Sequence, residues 1–185
     1  MGSAASQQPG NFVPAYVCNW TNAGGTSDYF TASANIPSTN GGPVGVPGNF
    51  DGAESAHSGI AYGGIYCYYD QDVDFREYIQ HQLQAPLVNG EWYTLTFWVS
   101  LSDYSGYAVN NLGAYISPNQ PLQTIAQPIL NFTPQIVYTT AVTTINGWVS
   151  ISGTFQAQGG EQWITIGSFE DDIAEQLLNL FFARY

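Results

Sequence analysis

The stretch "EWYTLTFWVSL", residues 91–101, decides the fold because its apolar and polar side chains alternate with a period of two. One face carries Tyr93, Leu95, Phe97, Val99 and Leu101. The other face carries Trp92, Thr94, Thr96, Trp98 and Ser100. Such alternation is typical of a strand buried on one side, and the preceding "NG" at 89–90 is a turn signal.

Six more stretches carry the composition or alternation of strands, each bounded by Gly, Pro or Asn. They are "IAYGGIYCYY" (60–69), "REYIQHQL" (76–83), "LGAYIS" (112–117), "QIVYTTAVTT" (135–144), "WVSISGTF" (148–155) and "QWITIGSF" (162–169). Residues 9–59 predict long loops with short strands at 12–17 and 29–34, and 35–52 is the loosest part. The chain is therefore predicted to be all-β, a jelly-roll β-sandwich of two antiparallel sheets with long N-terminal loops.

The end of the chain, "EDDIAEQLLNLFFARY" at 170–185, departs from the strand pattern. Ile173, Leu177 and Phe181 lie at helical spacing, behind acids suited to a helix start. The expectation is a short C-terminal helix or an extended tail that pairs with a sheet edge. At 185 residues the chain fits one domain, expected over 9–185, with 1–8 a cloning remnant or a disordered start.

Composition excludes several classes of function. The net charge of -12 repels nucleic-acid phosphates and anionic membrane surfaces, and no apolar run is long enough to span a bilayer. The start has no signal-peptide pattern. With 15% aromatic and only 9% charged residues, the surface is expected to be polar-aromatic, which suits sugars and other neutral polar ligands.

No catalytic motif stands out in the sequence. The two histidines, His57 and His81, are far apart, and neither a Gly-x-Ser-x-Gly nor a His-Glu-x-x-His motif is present. Two carboxylates are enough for a glycosidase, and Glu77 with Glu91 or Asp72 with Asp103 are the pairs considered, but nothing selects them. The expectation is a protein that is not an enzyme, with polysaccharide degradation as a lesser alternative.

Aromatic and amide side chains supply the candidate ligand contacts. Trp92 and Trp98 share a strand face about 20 Å apart, so they mark two subsites, or the loop 35–52 covers them. The loop "SDYSGYAVNN" (102–111) offers Asp103, Tyr104, Tyr107, Asn110 and Asn111. These groups hydrogen-bond sugar hydroxyls and stack on sugar rings, or they knit the loop to itself. A cleft between 62–69, 102–111 and the tryptophan face would identify the site.

Acids and cysteines in the sequence are candidates for a structural calcium site and for a disulfide. Asp70, Asp72 and Asp74, or Glu170, Asp171 and Asp172, are oxygen-rich segments that could hold calcium, the one cofactor candidate. Cys18 and Cys67 are expected either to form a disulfide, as in extracellular proteins, or to remain thiols.

Arg76, in "DFREYIQH" at 74–81, is one of only two Lys or Arg residues, the other being Arg184. Strand alternation places Arg76 and Tyr78 on one face. Arg76 is expected to clamp a carboxylate, the candidates being Asp72, Asp74, Glu91 and Asp103. In the alternative, Arg76 and Tyr78 face the ligand.

Residues 76–117, followed by "GWVSISGTFQAQGGEQWITIGSF" at 147–169, resemble galactose-binding-like, carbohydrate-module jelly-roll domains of Bacteroidetes surface and secreted proteins. Those domains often precede OmpA-like or type IX secretion sorting domains. The resemblance implies an extracellular or cell-surface module whose partner is a glycan or cell-surface polymer. In related modules acids near the chain ends hold calcium, whereas this chain opens "GNFVPAYVCNW" without the Glu and ends "FFARY". The alternative function is a structural or adhesive subunit that self-associates through sheet edges and the apolar tail.

Overall fold

The computed structural model describes residues 20–34, 37–38, 42–124, 128–172 and 177–179. Over these residues the secondary structure is all-β, as predicted, and includes no helix long and apolar enough to cross a membrane. The strands are β1 (Trp20–Asn22), β2 (Asp28–Thr31), β3 (Pro37–Ser38), β4 (Gly42–Pro43), β5 (Gly48–Asn49), β6 (Gly52–Ala53), β7 (Ala61–Gly64), β8 (Ile79–Gln82), β9 (Trp92–Val99), β10 (Tyr107–Ala108), β11 (Leu112–Ser117), β12 (Ile136–Tyr138), β13 (Val149–Gln156), β14 (Trp163–Ser168) and β15 (Leu178–Asn179).

Two sheets form the body of the fold. Five strands make an antiparallel sheet in the order β1-β8-β14-β11-β12, and β9 pairs with β13 along its whole length, from Trp92 opposite Gln156 to Val99 opposite Val149. Four smaller antiparallel pairs, β2 with β7, β3 with β4, β5 with β6 and β10 with β15, complete the described strands.

The two sheets meet across a common apolar core. Phe97 of β9 and Ile151 and Phe155 of β13 pack in one cluster with Ile116 of β11 and Ile166 of β14. This arrangement follows from the alternation of β9, since Phe97 is buried while Trp92 and Trp98 on the opposite face are exposed. The predicted sandwich is thus confirmed, whereas the jelly-roll order of strands stays a prediction.

Each of the seven predicted strand stretches contains an observed strand, and three are markedly shorter than predicted. The stretch 60–69 is a strand only at Ala61–Gly64. The strand expected to start at 76 begins at Ile79, because the backbone N–H of Glu77 donates to Tyr66 instead of to a neighbouring strand. The stretch 135–144 is a strand only at Ile136–Tyr138. The strand expected at 29–34 is observed as β2, and the one at 12–17 lies outside the described residues.

The outer face of the five-stranded sheet is also covered. Tyr78 is fully buried there beside Leu130 and Phe169. Its hydroxyl donates to the Ser168 carbonyl at 2.6 Å and accepts from the Leu130 N–H at 3.1 Å. A side chain at Gly167 would overlap the Tyr78 ring. The expectation that Tyr78 faces a ligand is therefore wrong, because this ring fills the space under the segment around Leu130.

Arg76 is fully buried and joins the start of β8 to the far end of the chain. Its Nη1 donates to Asp172 Oδ1 at 2.8 Å, and its Nη2 donates to the Glu170 carbonyl at 2.8 Å. Asp172 Oδ2 accepts from the Asp74 N–H, and Asp74 Oδ1 accepts from the Asp172 N–H, both at 2.9 Å. The geometry matches a clamp rather than a ligand-facing donor. The carboxylate is Asp172, however, and not one of the four candidates, because the fold returns 170–172 beside 74–76.

The described part of the C-terminal tail is extended. Leu178 and Asn179 pair with Ala108 and Tyr107, so this part of the tail is engaged within the chain. Residues 173–176 and 180–185, on which the predicted helix and the rest of the tail fall, lie outside the described residues. Self-association through that remainder stays a prediction.

Replacing Arg76 with Ala is expected to lower the free energy of unfolding by about 3–5 kcal/mol, because it leaves Asp172 half-buried without its cation. Urea denaturation of the whole chain measures this. The control is Asp72→Asn, which removes one exposed charge and should change stability by less than about 0.5 kcal/mol. If the two variants unfolded at the same urea concentration, the clamp would have no role in stability.

Candidate functional site

A cleft of about 640 Å³ opens at one end of the sandwich. Three segments form its walls: the β2–β7 pair with the chain that follows it to residue 70, the end of β9 with residues 100–107, and the turn around 49–54. Apolar side chains that belong to the core or pack against it also line the cleft, namely Trp20, Ile79, Phe97, Val109, Leu112, Val142 and Ile166. The first two walls and Trp98 belong to the segments from which a cleft was expected. The volume lies within the range of about 300–1,000 Å³ found for ligand pockets.

Aromatic rings form one side of the cleft. Trp148 donates from Nε1 to the Ser55 carbonyl at 2.8 Å and meets the Tyr62 ring edge-on at 5.4 Å. The Tyr62 hydroxyl accepts from Asn49 Nδ2 at 2.6 Å. Trp98 stacks on His57 at 4.2 Å between ring centroids, yet keeps 42% of its surface exposed. These contacts fix the rings and leave the face of Trp98 partly open.

Tyrosines line the opposite side. Tyr66 meets Tyr69 edge-on at 6.0 Å, and Tyr68 meets Tyr107 edge-on at 5.1 Å. The side chain of Tyr104, at the tip of the loop after β9, is 76% exposed. Burial raises the pKa of the Tyr62, Tyr66 and Tyr68 hydroxyls, so all three are neutral at physiological pH.

Two cleft carboxylates hold the walls in place. Asp103 Oδ2 accepts from the Ala53 N–H at 2.8 Å. Glu54 Oε2 accepts from the Gly147 N–H at 2.7 Å and from Ser100 Oγ at 3.2 Å. These bonds tie the 51–55 segment to the end of β9 and to the turn before β13.

Asp28 differs from those two acids. It begins β2, lines the cleft and is only 8% exposed, yet no described residue donates a hydrogen bond to its carboxylate. Burial raises its pKa to about 7, and the charges of Glu77 and Asp51 add to this effect. Asp28 is therefore a carboxyl group that titrates near neutral pH inside the cleft.

Two further carboxyl groups lie near Asp28. Burial and the charge of Glu77 raise the pKa of Asp51, which also lines the cleft. Glu77 accepts from Thr26 Oγ1 at 2.7 Å and from the Tyr66 N–H at 3.0 Å. Burial still raises the pKa of Glu77 despite these bonds. The three groups therefore repel one another when all are ionised.

The cleft brings together four of the nine predicted ligand residues: Trp98, Asp103, Tyr104 and Tyr107. Trp92 lies at the other end of β9, and Arg76 and Tyr78 are interior. Asn110 is 7% exposed and accepts from Asn111 Nδ2 at 3.2 Å, which matches a loop knitted to itself. Cys67 lines the cleft, whereas Cys18 lies outside the described residues, so the disulfide stays a prediction.

The tryptophan face of β9 is not covered by the described part of the loop 35–52. Trp92 and Trp98 are 66% and 42% exposed, and the hydroxyls between them pair across the ribbon, Thr94 with Thr154 at 3.1 Å and Thr96 with Ser152 at 2.8 Å. The described part of that loop instead packs Phe50 against Phe30.

The calcium expectation stays a prediction. The oxygens of Asp172 accept from Arg76 and from the Asp74 N–H. The part of the chain that the structure describes gathers no group of three His, Cys, Asp or Glu side chains suited to a metal ion. Of the acids at 170–172, Asp172 joins the clamp through its carboxylate and Glu170 through its backbone carbonyl.

Sequence reasoning missed Asp28, Asp51 and Trp148 as cleft residues, and it included Tyr66 only within the expected wall 62–69 without naming it as a ligand contact. A signal existed for the tyrosine, because "IAYGGIYCYY" places Tyr62, Gly64, Tyr66 and Tyr68 on one face. For Asp28 and Asp51 none existed, since their proximity depends on how the turn around 49–54 meets β2.

No protein-family model, no curated protein and no solved structure matches this chain. The likeness to carbohydrate-module jelly rolls therefore stays a prediction, and the cleft itself is the basis for assigning a function.

Stability is expected to fall as the pH rises from about 4 to about 7 because of Asp28, Asp51 and Glu77. The native state binds more protons than the unfolded state in this window, since burial raises these pKa values, that of Asp28 from 3.8 to about 7. Asp28→Asn should flatten the profile and stabilise the protein at pH 8 by up to about 4 kcal/mol. Urea denaturation across this pH range measures the effect. The matched charge control is Glu91→Gln. If the free energy of unfolding of Asp28→Asn depended on pH as steeply as that of the parent chain, the prediction would be wrong.

Proposed function

We propose that this protein is a non-catalytic module that binds a glycan or other cell-surface polymer outside the cell, with the ligand in the cleft. The observation that carries the proposal is the combination, in one cleft of about 640 Å³, of open aromatic faces with fixed polar groups. The extracellular setting rests on the resemblance to secreted modules.

Aromatic faces suit the apolar side of a sugar ring. Trp98, Tyr66 and Tyr69 each keep more than two fifths of their surface exposed, while Trp98 stacks on His57 and Tyr66 meets Tyr69 edge-on. A pyranose presents C–H groups on its face, which stack on such rings, and hydroxyls around its rim. Rings already held in place lose little conformational entropy when the ligand binds.

Polar groups at the cleft wall suit the hydroxyl rim. Asp103, Ser100 and Ser102 lie beside the rings and are held by hydrogen bonds to the backbone of the neighbouring walls. The carboxylate retains an oxygen for a sugar hydroxyl, and charge-assisted hydrogen bonds of this kind are stronger than neutral ones.

Glycan hydrolysis is the second candidate function, because of Asp28. A carboxyl group with a pKa of about 7 next to a second cleft carboxylate has the property required of a general acid. Incubation of bound oligosaccharides with the protein, followed by measurement of new reducing ends, distinguishes the two. If the parent chain produces new reducing ends and Asp28→Asn does not, the function is hydrolysis of the glycan and not binding alone.

On a glycan array followed by calorimetry with the retained oligosaccharide, Trp98→Ala is expected to weaken binding about tenfold or more, since it removes the stacking surface. Trp92→Ala is the matched control, because Trp92 is on the same face of the same strand, is 66% exposed and lies outside the cleft.

The control should bind within about twofold of the parent chain. Equal losses in both variants would move the site to the outer face of β9 and β13. Retention of no glycan at all would overturn the proposed function.

A further inference from the structure

We propose that the cleft recognises a positively charged amino sugar, whose ammonium group pairs with Asp28 and Asp51. This inference rests on the proposed function and narrows it from glycans in general to those that carry a free amine. The first observation behind it is Asp28 itself, an acid over nine-tenths buried that lines the cleft without a described hydrogen-bond donor.

Within the described part of the chain, no Lys or Arg lines the cleft. Arg76 is the only Lys or Arg among those residues, and its guanidinium pairs with Asp172. Asp51 and Glu77 are the acids whose charges act on Asp28, and the charges of all three raise the pKa of Tyr66. The other acids around the opening, Glu54 and Asp103, are bonded to wall groups. A ligand is therefore a ready source of the missing positive charge.

The lining favours an organic ammonium over a metal ion. Metal ions require several oxygen ligands around one point, and the described chain has no such group of three acids. Tyrosine and tryptophan rings, by contrast, attract an ammonium through their π faces, and carboxylates accept its hydrogen bonds. Tyr62, Tyr66 and Trp98 line the same cleft as the two acids.

Binding would change the protonation of Asp28. Near neutral pH its carboxyl is divided between the protonated and ionised forms, because burial and its neighbours raise its pKa to about 7. An ammonium placed against it favours the carboxylate, so the protonated fraction gives its proton to solvent as the ion pair forms. In each molecule where Asp28 was protonated, one proton departs as one cation arrives.

The test compares two hexasaccharides that differ only in acetylation, β-1,4-linked glucosamine and N-acetylglucosamine, by calorimetry at about pH 6.5, where the amine carries charge. The glucosamine hexamer should bind at least about tenfold more tightly, because the acetyl group removes the cation. Asp28→Asn and Asp51→Asn should each lose about tenfold for glucosamine and less than about twofold for the acetylated form. Glu91→Gln, which removes one charge outside the cleft, should bind both like the parent.

Proton release gives a readout that is independent of affinity. Titrations in buffers of different ionisation enthalpy should show that the parent releases more protons than Asp28→Asn on binding glucosamine hexamer. Added calcium chloride should leave the affinity unchanged.

Each contrary outcome has a distinct meaning. Equal or tighter binding of the acetylated hexamer would overturn the amino-sugar inference and leave the proposed function intact. Unchanged glucosamine affinity in Asp28→Asn and Asp51→Asn would overturn the assigned site, as would displacement by calcium. If no glycan, charged or neutral, bound to a folded parent chain, both proposals would be overturned.

Discussion

The ion pair between the buried Arg76 and Asp172 is the constraint that fixes the residues after β14 against the residues before β8. It joins residues 96 positions apart in sequence, and the guanidinium also holds the Glu170 carbonyl. Taking both charges out of water is unfavourable unless the geometry satisfies them. The reciprocal bonds between Asp74 and Asp172 supply part of that geometry. Through them the residues after β14 are fixed against the residues before β8.

The same ion pair also affects the charge balance of the cleft, because it uses the positive charge of Arg76. The chain has a net charge of -12, and Arg76, the one Lys or Arg among its described residues, lies at the clamp and not among the acids beside Tyr66. The pKa of Asp28 rises as a result of burial and of its neighbours, so the cleft keeps a carboxyl group poised between two protonation states. Carboxyl groups with shifted pKa values are common where proteins bind ligands.

Most of the fold was predictable because strand periodicity is a local property. Phe97 and Ile151 face the core as alternation requires, and Trp92 and Trp98 face outward. The partner of Arg76 was not predictable, since the local sequence offers nearer acids such as Asp72 and Asp74. Tyr78 shows a second limit of prediction from the sequence. Alternation predicts the sheet face on which Tyr78 lies, but it does not predict that the segment around Leu130 covers that face. For the cleft, the segments were identified but the acid at the start of β2 was not, because its burial arises from long-range packing.

Three hydrogen bonds have a consequence for the rate and strength of recognition: Gly147 N–H to Glu54, Trp148 Nε1–H to the Ser55 carbonyl, and Ala53 N–H to Asp103. The 51–55 segment, which these three bonds hold, has already lost its conformational freedom during folding. A ligand therefore need not order this segment when it binds. Encounter then requires only that the ligand find the correct orientation in a rigid receptor, and differences in affinity among ligands should appear chiefly in how slowly they leave.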